Sequence, residues 1–246
     1  LRVICAGGRS PLIQQAGFNV TDQAAWQTAL VRTLRSDIPL HHTAYQRFLP
    51  SGPLALMPMD RQHYSLVWTL SDAQAQQLAE LNPDAQSRCV NDVCGDETGY
   101  LEFTEPPQCW KLAPTYLRRI TRPGIVLAGD SAHSLHPLAG MGLNLGLADA
   151  ATLLDCLVNA QRQGLTAAHP SVMTAYQRSR QAEIFALTAA TQGLNRLFSR
   201  EQGLLRGWGG LGMSVFGRTA LMHPIKRIAM GGRLSQPQLF SGILPH

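Results

Sequence analysis

The sequence GIVLAGDSAH occupies residues 124–133, and HPLAGMGLNLG follows at residues 136–146. Residues 125–128 are all apolar and come after a Pro-Gly pair, which predicts a short strand buried on both faces. This strand ends at Gly129 and Asp130. Because ligands of open α/β sheets bind beyond the carboxyl ends of the strands, the sequence predicts an α/β fold in which Asp130 faces a site.

A helix is predicted directly after this strand. Apolar residues recur at helical spacing and predict one face packed against the sheet, namely Leu143, Leu147, Ala151, Leu154 and Val158. Glycines at residues 140, 142 and 146 lie at the start of this helix. Because glycine has no side chain, the free N–H groups and the positive end of the helix dipole can approach a ligand closely. The stretch therefore predicts a pocket for a polar or anionic ligand.

The same residues resemble a known motif. The sequence GDSAH at residues 129–133 is followed by Pro137, Gly140, Gly142, Asn144, Gly146 and the pair Asp149-Ala150. This pattern resembles the second FAD motif of flavin-dependent aromatic hydroxylases of the para-hydroxybenzoate hydroxylase type. It is most similar to the branch that hydroxylates the ring of ubiquinone precursors. An ordinary strand–turn–helix unit would explain the glycines, but not Asp130, Asn144 and the two histidines together.

The resemblance implies FAD as the cofactor and NAD(P)H as the electron donor. The implied cofactor-binding residues are Gly129, Asp130, Gly140, Met141, Gly142, Leu143 and Asn144. The Asp130 carboxylate would accept a hydrogen bond from a ribityl hydroxyl, a charge-assisted contact worth roughly 1.5–3 kcal/mol; a helix cap is its alternative role. Residues 140–143 would direct backbone N–H groups at the pyrimidine edge of the flavin. Asn144 would either cap the helix or contact the ring.

His136 and Pro137 are the implied catalytic residues. Pro137 would lie over the reactive side of the flavin ring. A histidine near the ring, His133 or His136, could steer a phenol proton because the ordinary pKa of histidine is close to neutrality. A histidine that only satisfies neighbouring backbone groups remains the alternative.

The resemblance further implies part of an FAD-binding doubly wound fold, with an inserted antiparallel substrate-domain sheet and a helical C-terminal region. We predict four parts: residues 1–20 as a remnant of the FAD-binding domain, 21–112 as the substrate domain, 113–165 as the second half of the FAD-binding domain and 166–246 as C-terminal helices. Within the second part, strands are predicted around residues 26–35, 44–49, 54–59 and 64–70. Ser71 is predicted to cap a helix that Asn82-Pro83 closes, and Ser171 to cap a long helix reaching about residue 198.

Composition indicates a folded protein. The 246 residues are 45% hydrophobic and 15% charged, which excludes an intrinsically disordered chain. The five cysteines lack the spacing of metal ligands, so we expect no metal and free thiols in a reducing, cytoplasmic compartment. No signal peptide is expected, and the sequence contains no run of 18 apolar residues that would span a bilayer.

The net charge of +5 is concentrated in residues 201–246, which contain five basic residues and one acidic residue. Aliphatic and aromatic residues such as Leu205 and Trp208 are interleaved with these charges. This pattern favours a peripheral segment at an anionic membrane surface, here the inner membrane, over a nucleic-acid partner. A solvated basic face over a core helix is the alternative.

Two departures from the resembled family affect the prediction. The chain begins at Leu1 inside a predicted strand and contains no G-x-G-x-x-G turn after a strand, so we expect a piece of a longer protein. Gly7 stands where the family has the acid of an Ala-Asp-Gly motif. The missing turn leaves part of the implied cofactor cradle absent from this chain, and Gly7 removes the contacts that the motif's carboxylate would make.

The predicted function is an FAD-dependent, NAD(P)H-using monooxygenase that hydroxylates the aromatic ring of a polyprenylated phenol in ubiquinone biosynthesis. Its implied partners are this small-molecule substrate, O2, a membrane surface and other ubiquinone-biosynthesis proteins. One alternative is a non-catalytic scaffold or assembly subunit, which Gly7 and the missing turn favour. Another is a flavin oxidoreductase or halogenase that shares the motif but acts on another substrate.

Overall fold

The computed structural model describes residues 1–19, 27–39, 42–112, 115–134 and 142–198, together with Pro237 and Leu239. Four predicted site residues, Gly140, Met141, His136 and Pro137, lie outside the described residues, and so do Leu205, Trp208 and the other predicted features of the basic C-terminal segment. Helices and sheets are mixed, which confirms the predicted α/β class.

The elements in chain order are β1 (Arg2–Ile4), α1 (Pro11–Gln15), β2 (Gln27–Ser36), β3 (Tyr45–Leu49), β4 (Gly52–Pro58), β5 (His63–Ser71), α2 (Asp72–Glu80), α3 (Pro83–Asn91), β6 (Leu101–Phe103), β7 (Gln108–Leu112), β8 (Thr115–Tyr116), β9 (Thr121–Arg122), β10 (Ile125–Leu127), β11 (His133–Ser134), α4 (Gly142–Arg162) and α5 (Pro170–Phe198). A short 3-10 turn, Gly129–Ser131, follows β10. The chain forms two compact units, one built mainly from Leu1–Gln23 and Pro114–Gly193 and the other mainly from Ala24–Ala113. The predicted division of the chain into four parts stays a prediction.

The first unit contains a three-stranded sheet in the order β1-β10-β9. Strand β10 is parallel to β1, with Val126 opposite Val3, and antiparallel to β9. Val126 and Leu127 are both fully buried, as the apolar run predicts. The Tyr176 hydroxyl of α5 donates a hydrogen bond of 3.0 Å to the Leu127 carbonyl. Helix α5 therefore holds the end of β10 directly before the Gly129–Ser131 turn.

Helix α4 begins where the glycines predict, but its predicted buried face is only partly correct: Ala151 is buried, whereas the three leucines of that face are exposed. Leu143 is 75% exposed and Leu147 is 51% exposed, whereas Leu145, Ala148 and Asp149 are buried. The reason is the close approach of α4 to the turn after β10: a Cβ atom at Gly146 would lie 3.5 Å from the Cα atom of Gly129. Gly146 therefore faces the turn, and Asp149, one helical turn later, follows it into the interior.

Among the described helices, α4 alone has the length and apolar composition that a membrane span requires. The same properties are common in the core helices of globular proteins. Asp149 lies in α4 and pairs with the buried Arg180, so the otherwise largely apolar inward face of this helix carries a buried charge. That buried ion pair identifies α4 as a helix that packs against protein.

The second unit is a six-stranded antiparallel sheet in the order β3-β4-β5-β2-β6, with β7 also paired to β2. The four predicted strands are all present, as β2 to β5. Buried side chains of β2, β4, β5 and β6 pack with helices α2 and α3 in one core, including Leu30, Leu34, Leu56, Leu66, Trp68, Leu78 and Val90. This unit agrees with the predicted antiparallel inserted sheet.

Two helix boundaries differ from the prediction. Ser71 caps α2 as predicted, and the Gln74 side chain completes a capping box with the Ser71 backbone. Asn82-Pro83, however, also starts α3, because the Asn82 side chain accepts a hydrogen bond of 2.9 Å from the Ala85 N–H. Ser171 lies inside α5, and its N–H donates to Nδ1 of His169 at 3.3 Å, so Ser171 is not the cap.

Candidate functional site

The turn after β10 requires a glycine at its first position. Gly129 has a φ of +60°, a left-handed conformation that costs other residues roughly 1–2 kcal/mol. Its N–H donates a hydrogen bond of 2.7 Å to Oδ2 of Asp149. The turn therefore leaves the strand abruptly, and its direction is fixed by a carboxylate of α4.

Asp130 is exposed at the carboxyl end of β10. Within the described part of the chain, its carboxylate has no hydrogen-bond partner. A Cβ atom at Gly142 would lie 3.9 Å from Oδ1 of Asp130, so the first residue of α4 stands beside this carboxylate. The acid and the helix N-terminus that the sequence places in one site are therefore adjacent.

The first turn of α4 continues the same surface. Leu143 and Asn144 are both exposed. Backbone N–H groups in the first turn of a helix have no acceptor within that helix, and the positive end of the helix dipole lies there. The structure thus brings Gly129, Asp130 and Gly142 together, with Leu143 and Asn144 next in the chain. A ligand with hydroxyl groups and an electron-rich edge suits this combination of acceptor and donors.

The carboxyl end of β1 reaches the same edge of the sheet. The Ala6 N–H donates a hydrogen bond of 2.9 Å to Oγ of Ser131, and that hydroxyl donates one of 3.1 Å to the Gly7 carbonyl. Ser131 is 1% exposed. Gly7, which replaces the acid of the resembled motif, has a φ of +85° and contributes only backbone here. The buried Ser131 hydroxyl therefore joins the two loops that follow the parallel strands β1 and β10.

A buried charged network lies beneath the turn, and sequence reasoning did not identify it. Nε2 of His133 lies 2.7 Å from Oδ2 of Asp149, the same oxygen that Gly129 contacts. Nε of Arg180 donates a hydrogen bond of 2.6 Å to Oδ1 of Asp149, and the Arg180 guanidinium also pairs with Glu183. Asp149 is 0% exposed. In the sequence, Asp149 stands out only as part of the motif, and nothing in the sequence of α5 singles out Arg180.

Electrostatics keeps the central pair of this network charged. Burial raises the pKa of Asp149, but the hydrogen bond and the charge of His133, with those of Arg180, outweigh it and lower that pKa below its ordinary value. Burial would lower the pKa of Arg180, but Asp149 and Glu183 outweigh it and raise that pKa. The network is therefore a carboxylate and a guanidinium that stabilise each other's charged forms.

His133 belongs to this network and does not lie beside Asp130 on the exposed surface. It is 1% exposed, and its Nδ1 is buried without a hydrogen-bond partner among the residues the structure describes. An ionised carboxylate can only accept, so the short contact to Asp149 places a proton on Nε2 of His133. His133 therefore supports the turn from below, and direct proton steering at a ligand is left to His136 as a prediction.

Comparison with known proteins agrees with this geometry. A family model described as "FAD binding domain" matches residues 2–191. The chain is 33% identical over 224 residues to the ubiquinone hydroxylase UbiL of Rhodospirillum rubrum, a match that covers 91% of this chain and 52% of that protein. It is 32% identical over 234 residues to the mitochondrial ubiquinone biosynthesis monooxygenase COQ6 of Rattus norvegicus, covering 80% of this chain and 48% of that protein.

A solved structure shows the same fold. PqsL, a probable FAD-dependent monooxygenase from Pseudomonas aeruginosa, aligns with a TM-score of 0.69 and 21% identity, covering 80% of this chain and 56% of PqsL. The chain thus spans about half the length of the curated relatives it matches.

Proposed function

This chain belongs to the FAD-binding domain family, as its motif suggests, and we propose that it is part of a monooxygenase that hydroxylates the ring of a polyprenylated phenol in ubiquinone biosynthesis. The observation that carries the proposal is the exposed Asp130 carboxylate beside the first residue of α4, at the carboxyl end of β10. The named activities of UbiL and COQ6 support this substrate class.

The residues present suit FAD. Asp130 offers an acceptor, for which we propose a ribityl hydroxyl as donor. Gly142 has no side chain, so a ring can approach the backbone at the start of α4. We propose Gly129, Asp130, Gly140, Met141, Gly142, Leu143 and Asn144 as the cofactor-binding residues, and His136 and Pro137 as the residues that face the reacting ring.

When bound, FAD would supply the redox chemistry of a hydroxylation that uses NAD(P)H and O2. The chain supplies orientation and electrostatics. The N-terminal dipole of α4 stabilises negative charge on a ligand at its end, by the same logic as an oxyanion hole. Pro137 and the apolar residues near it would hold the phenol and exclude water, and His136 would hold or release the phenol proton.

The proposed setting is the cytoplasmic side of the inner membrane. A polyprenylated phenol is strongly apolar and resides in the bilayer, so a peripheral location would bring the enzyme to its substrate. The basic and aliphatic character of residues 201–246 supports this proposal. Other proteins of ubiquinone biosynthesis are proposed partners because the product of one ring modification is the substrate of the next.

Incubation with NAD(P)H, isotopically labelled O2 and a polyprenylated phenol tests the proposed function. The protein used is the chain extended at its N-terminus by the G-x-G-x-x-G unit of a relative. We expect bound flavin, consumption of NAD(P)H and one labelled oxygen atom in the phenol by mass spectrometry. Consumption of NAD(P)H without label in the phenol would identify an oxidoreductase with another substrate. A protein that binds no flavin would instead be the scaffold subunit.

A further inference from the structure

We propose that Asp149 is a positioning residue for the cofactor site: held by Arg180, its carboxylate fixes the Gly129 turn and thereby sets the direction of the Asp130 side chain. This inference rests on the proposed function, because it takes Asp130 to be a ligand of the cofactor. It adds two residues, Asp149 and Arg180, that touch neither substrate nor cofactor and act only through the turn.

The two oxygens of the Asp149 carboxylate have different partners. Oδ2 accepts the Gly129 N–H at 2.7 Å and contacts Nε2 of His133 at 2.7 Å. Oδ1 accepts Nε of Arg180 at 2.6 Å. Gly129 directly precedes Asp130, so the carboxylate binds the backbone within one residue of the proposed cofactor ligand.

Arg180 connects this contact to two helices. It pairs with Asp149 of α4, and its Nη2 also donates to the Leu145 carbonyl of the same helix at 3.4 Å. Glu183, one turn further along α5, accepts from Nη1 of Arg180. The guanidinium is therefore held in one orientation, and it holds the Asp149 carboxylate in the plane that meets the Gly129 N–H.

A neutral amide cannot replace this carboxylate. In Asp149→Asn, one of the two terminal atoms becomes an NH2 group. If the NH2 group faces Arg180, two donors face each other, because the guanidinium Nε–H also donates. If the NH2 group faces the turn, it meets the Gly129 N–H, which is again a donor. Either orientation leaves a buried donor without an acceptor, which is the most costly kind of polar mismatch. In the second orientation the turn loses its acceptor; in the first it keeps a neutral acceptor that Arg180 no longer holds in place, although the volume of the side chain is unchanged.

The two close approaches between the turn and α4 explain why small changes in the turn matter. Gly129 and Gly146 pack backbone to backbone, and Asp130 stands beside Gly142. A rotation of the turn moves the Asp130 carboxylate relative to the N-terminus of α4, so the acceptor and the N–H donors no longer point at one ligand. Orientation of a ligand group within fractions of an ångström is what such supporting contacts provide.

A double-mutant cycle on the FAD affinity of the chain extended at its N-terminus by the G-x-G-x-x-G unit of a relative tests the inference. We expect Asp149→Asn to raise the FAD dissociation constant about tenfold, by the loss of one oriented charge-assisted hydrogen bond. In the Asp130→Asn background, the same substitution should change the dissociation constant by less than about twofold, because its effect acts through Asp130. A purely structural role would give additive effects. Leu153→Ala is the matched control, a buried change in α4 that should weaken folding and remain additive with Asp130→Asn.

A second measurement keeps the inference falsifiable if Asp149→Asn does not fold. Arg180→Lys retains the buried positive charge but loses the Nε contact. We expect hydrogen exchange of the Gly129 amide in the cofactor-free chain to be slow and to accelerate about tenfold or more in Arg180→Lys, because the anchoring carboxylate is released. Fast exchange of this amide in the wild type, or no change in Arg180→Lys, would overturn the positioning role.

The outcomes separate this inference from the function on which it rests. An Asp130→Asn variant with unchanged FAD affinity would overturn the proposed cofactor site, whatever Asp149 does. A loss of affinity in Asp130→Asn that is simply additive with Asp149→Asn would overturn the positioning role and leave the proposed function standing.

Discussion

At the scale of single residues, two aspartates of the same compact unit differ in burial and in their partners. Asp149 is completely buried, and its charge is stabilised by Arg180, His133 and the Gly129 N–H. Asp130 is exposed and unpaired within the described residues. A carboxylate whose oxygens are already occupied cannot bind a ligand, whereas an unpaired one that faces solvent can. On this ground we propose a structural role for Asp149 and a ligand-binding role for Asp130.

The role of Asp130 predicts a loss of cofactor affinity in Asp130→Asn. The amide keeps one acceptor but loses the charge, so we expect the FAD dissociation constant to rise about tenfold, the lower end of the range for a charge-assisted hydrogen bond. Flavin fluorescence quenching with the chain extended by the G-x-G-x-x-G unit measures this constant. Asp96→Asn is the matched control because Asp96 is also exposed and lies in the other compact unit. Equal dissociation constants for the wild type and Asp130→Asn would remove Asp130 from the site.

The buried pair predicts a pH dependence of stability. The pKa of Asp149 is lowered in the folded protein relative to its ordinary value of 3.8, so the unfolded chain binds the proton more tightly. The stability contributed by this carboxylate is therefore fully present above about pH 4 and is lost as the pH falls through the folded-state pKa. Urea unfolding at a series of acidic pH values should show a steeper loss of unfolding free energy for the wild type than for Asp149→Asn.

The Asp149→Asn comparison is necessary because other carboxylates of this protein, including Asp60 and Asp72, also have lowered pKa values. Their contributions are common to the wild type and the variant, so they cancel in the difference between the two curves. Parallel curves would show that Asp149 is not paired in solution. Removing the partner instead, in Arg180→Met, should cost about 3–5 kcal/mol at neutral pH because it leaves a buried carboxylate uncompensated.

The residues of the site could be predicted only in part. Asp130 and Gly142 were identifiable because a strand end and a glycine-rich helix start are local patterns in the sequence. Arg180 was not, since it lies 31 residues from Asp149 in a helix whose sequence gives no reason to bury a guanidinium. Pairing across such a separation is a property of packing, and no local pattern encodes it.

At the scale of elements, β-strands were predicted better than helix faces. In strands β2 to β5, apolar and polar residues alternate or apolar residues form short runs between turn residues. The hydrogen bonds of the sheet pair the backbone groups of these strands whatever their side chains are. For α4, the count of apolar residues favoured the face of Leu143 and Leu147, whereas close packing at Gly146 and the ion pair of Asp149 decided the orientation. The role of Asn82-Pro83 was ambiguous in the sequence because a proline can follow the end of one helix and also begin the next.

The packing of the turn against α4 predicts opposite effects for two glycines. Gly129→Ala places a Cβ on a residue with φ of +60° and should destabilise the protein by roughly 1–2 kcal/mol. Gly146→Ala places a Cβ at an ordinary contact distance of 3.5 Å and should be neutral or stabilise the helix by up to about 1 kcal/mol. Chemical denaturation of both variants measures the difference. The reverse order of stabilities would show that α4 does not approach the turn as closely as described.

At the scale of the whole molecule, the charge distribution bears on where the protein works. The positive charges and apolar side chains of residues 201–246 predict binding to vesicles that contain anionic lipid. We expect co-sedimentation to fall severalfold in the double variant Leu205→Asp and Trp208→Asp, since charge on an apolar interfacial residue opposes burial among headgroups and acyl chains. Leu81→Asp, which alters an exposed leucine of the antiparallel unit, is the control. Equal sedimentation of all three proteins would contradict a peripheral location that depends on this segment.

Also at the scale of the whole molecule, the chain contains only some of the features that bind FAD in the resembled family. Asp130 and the start of α4 would contact the ribityl and ring portions of FAD, and Ser131 joins the loop of Gly7 to the same edge. No G-x-G-x-x-G turn that could bind the pyrophosphate follows a predicted strand in the sequence. The pyrophosphate carries most of the cofactor's charge, and its binding contributes a large share of the affinity. We therefore expect the 246-residue chain to bind FAD weakly or not at all, and the chain extended by such a unit to purify with visible flavin absorbance. Stoichiometric flavin in the 246-residue chain would contradict this expectation. It would mean that Asp130 and α4 suffice to bind FAD, and that the N–H donors at the start of this helix contact other parts of the cofactor besides the ring.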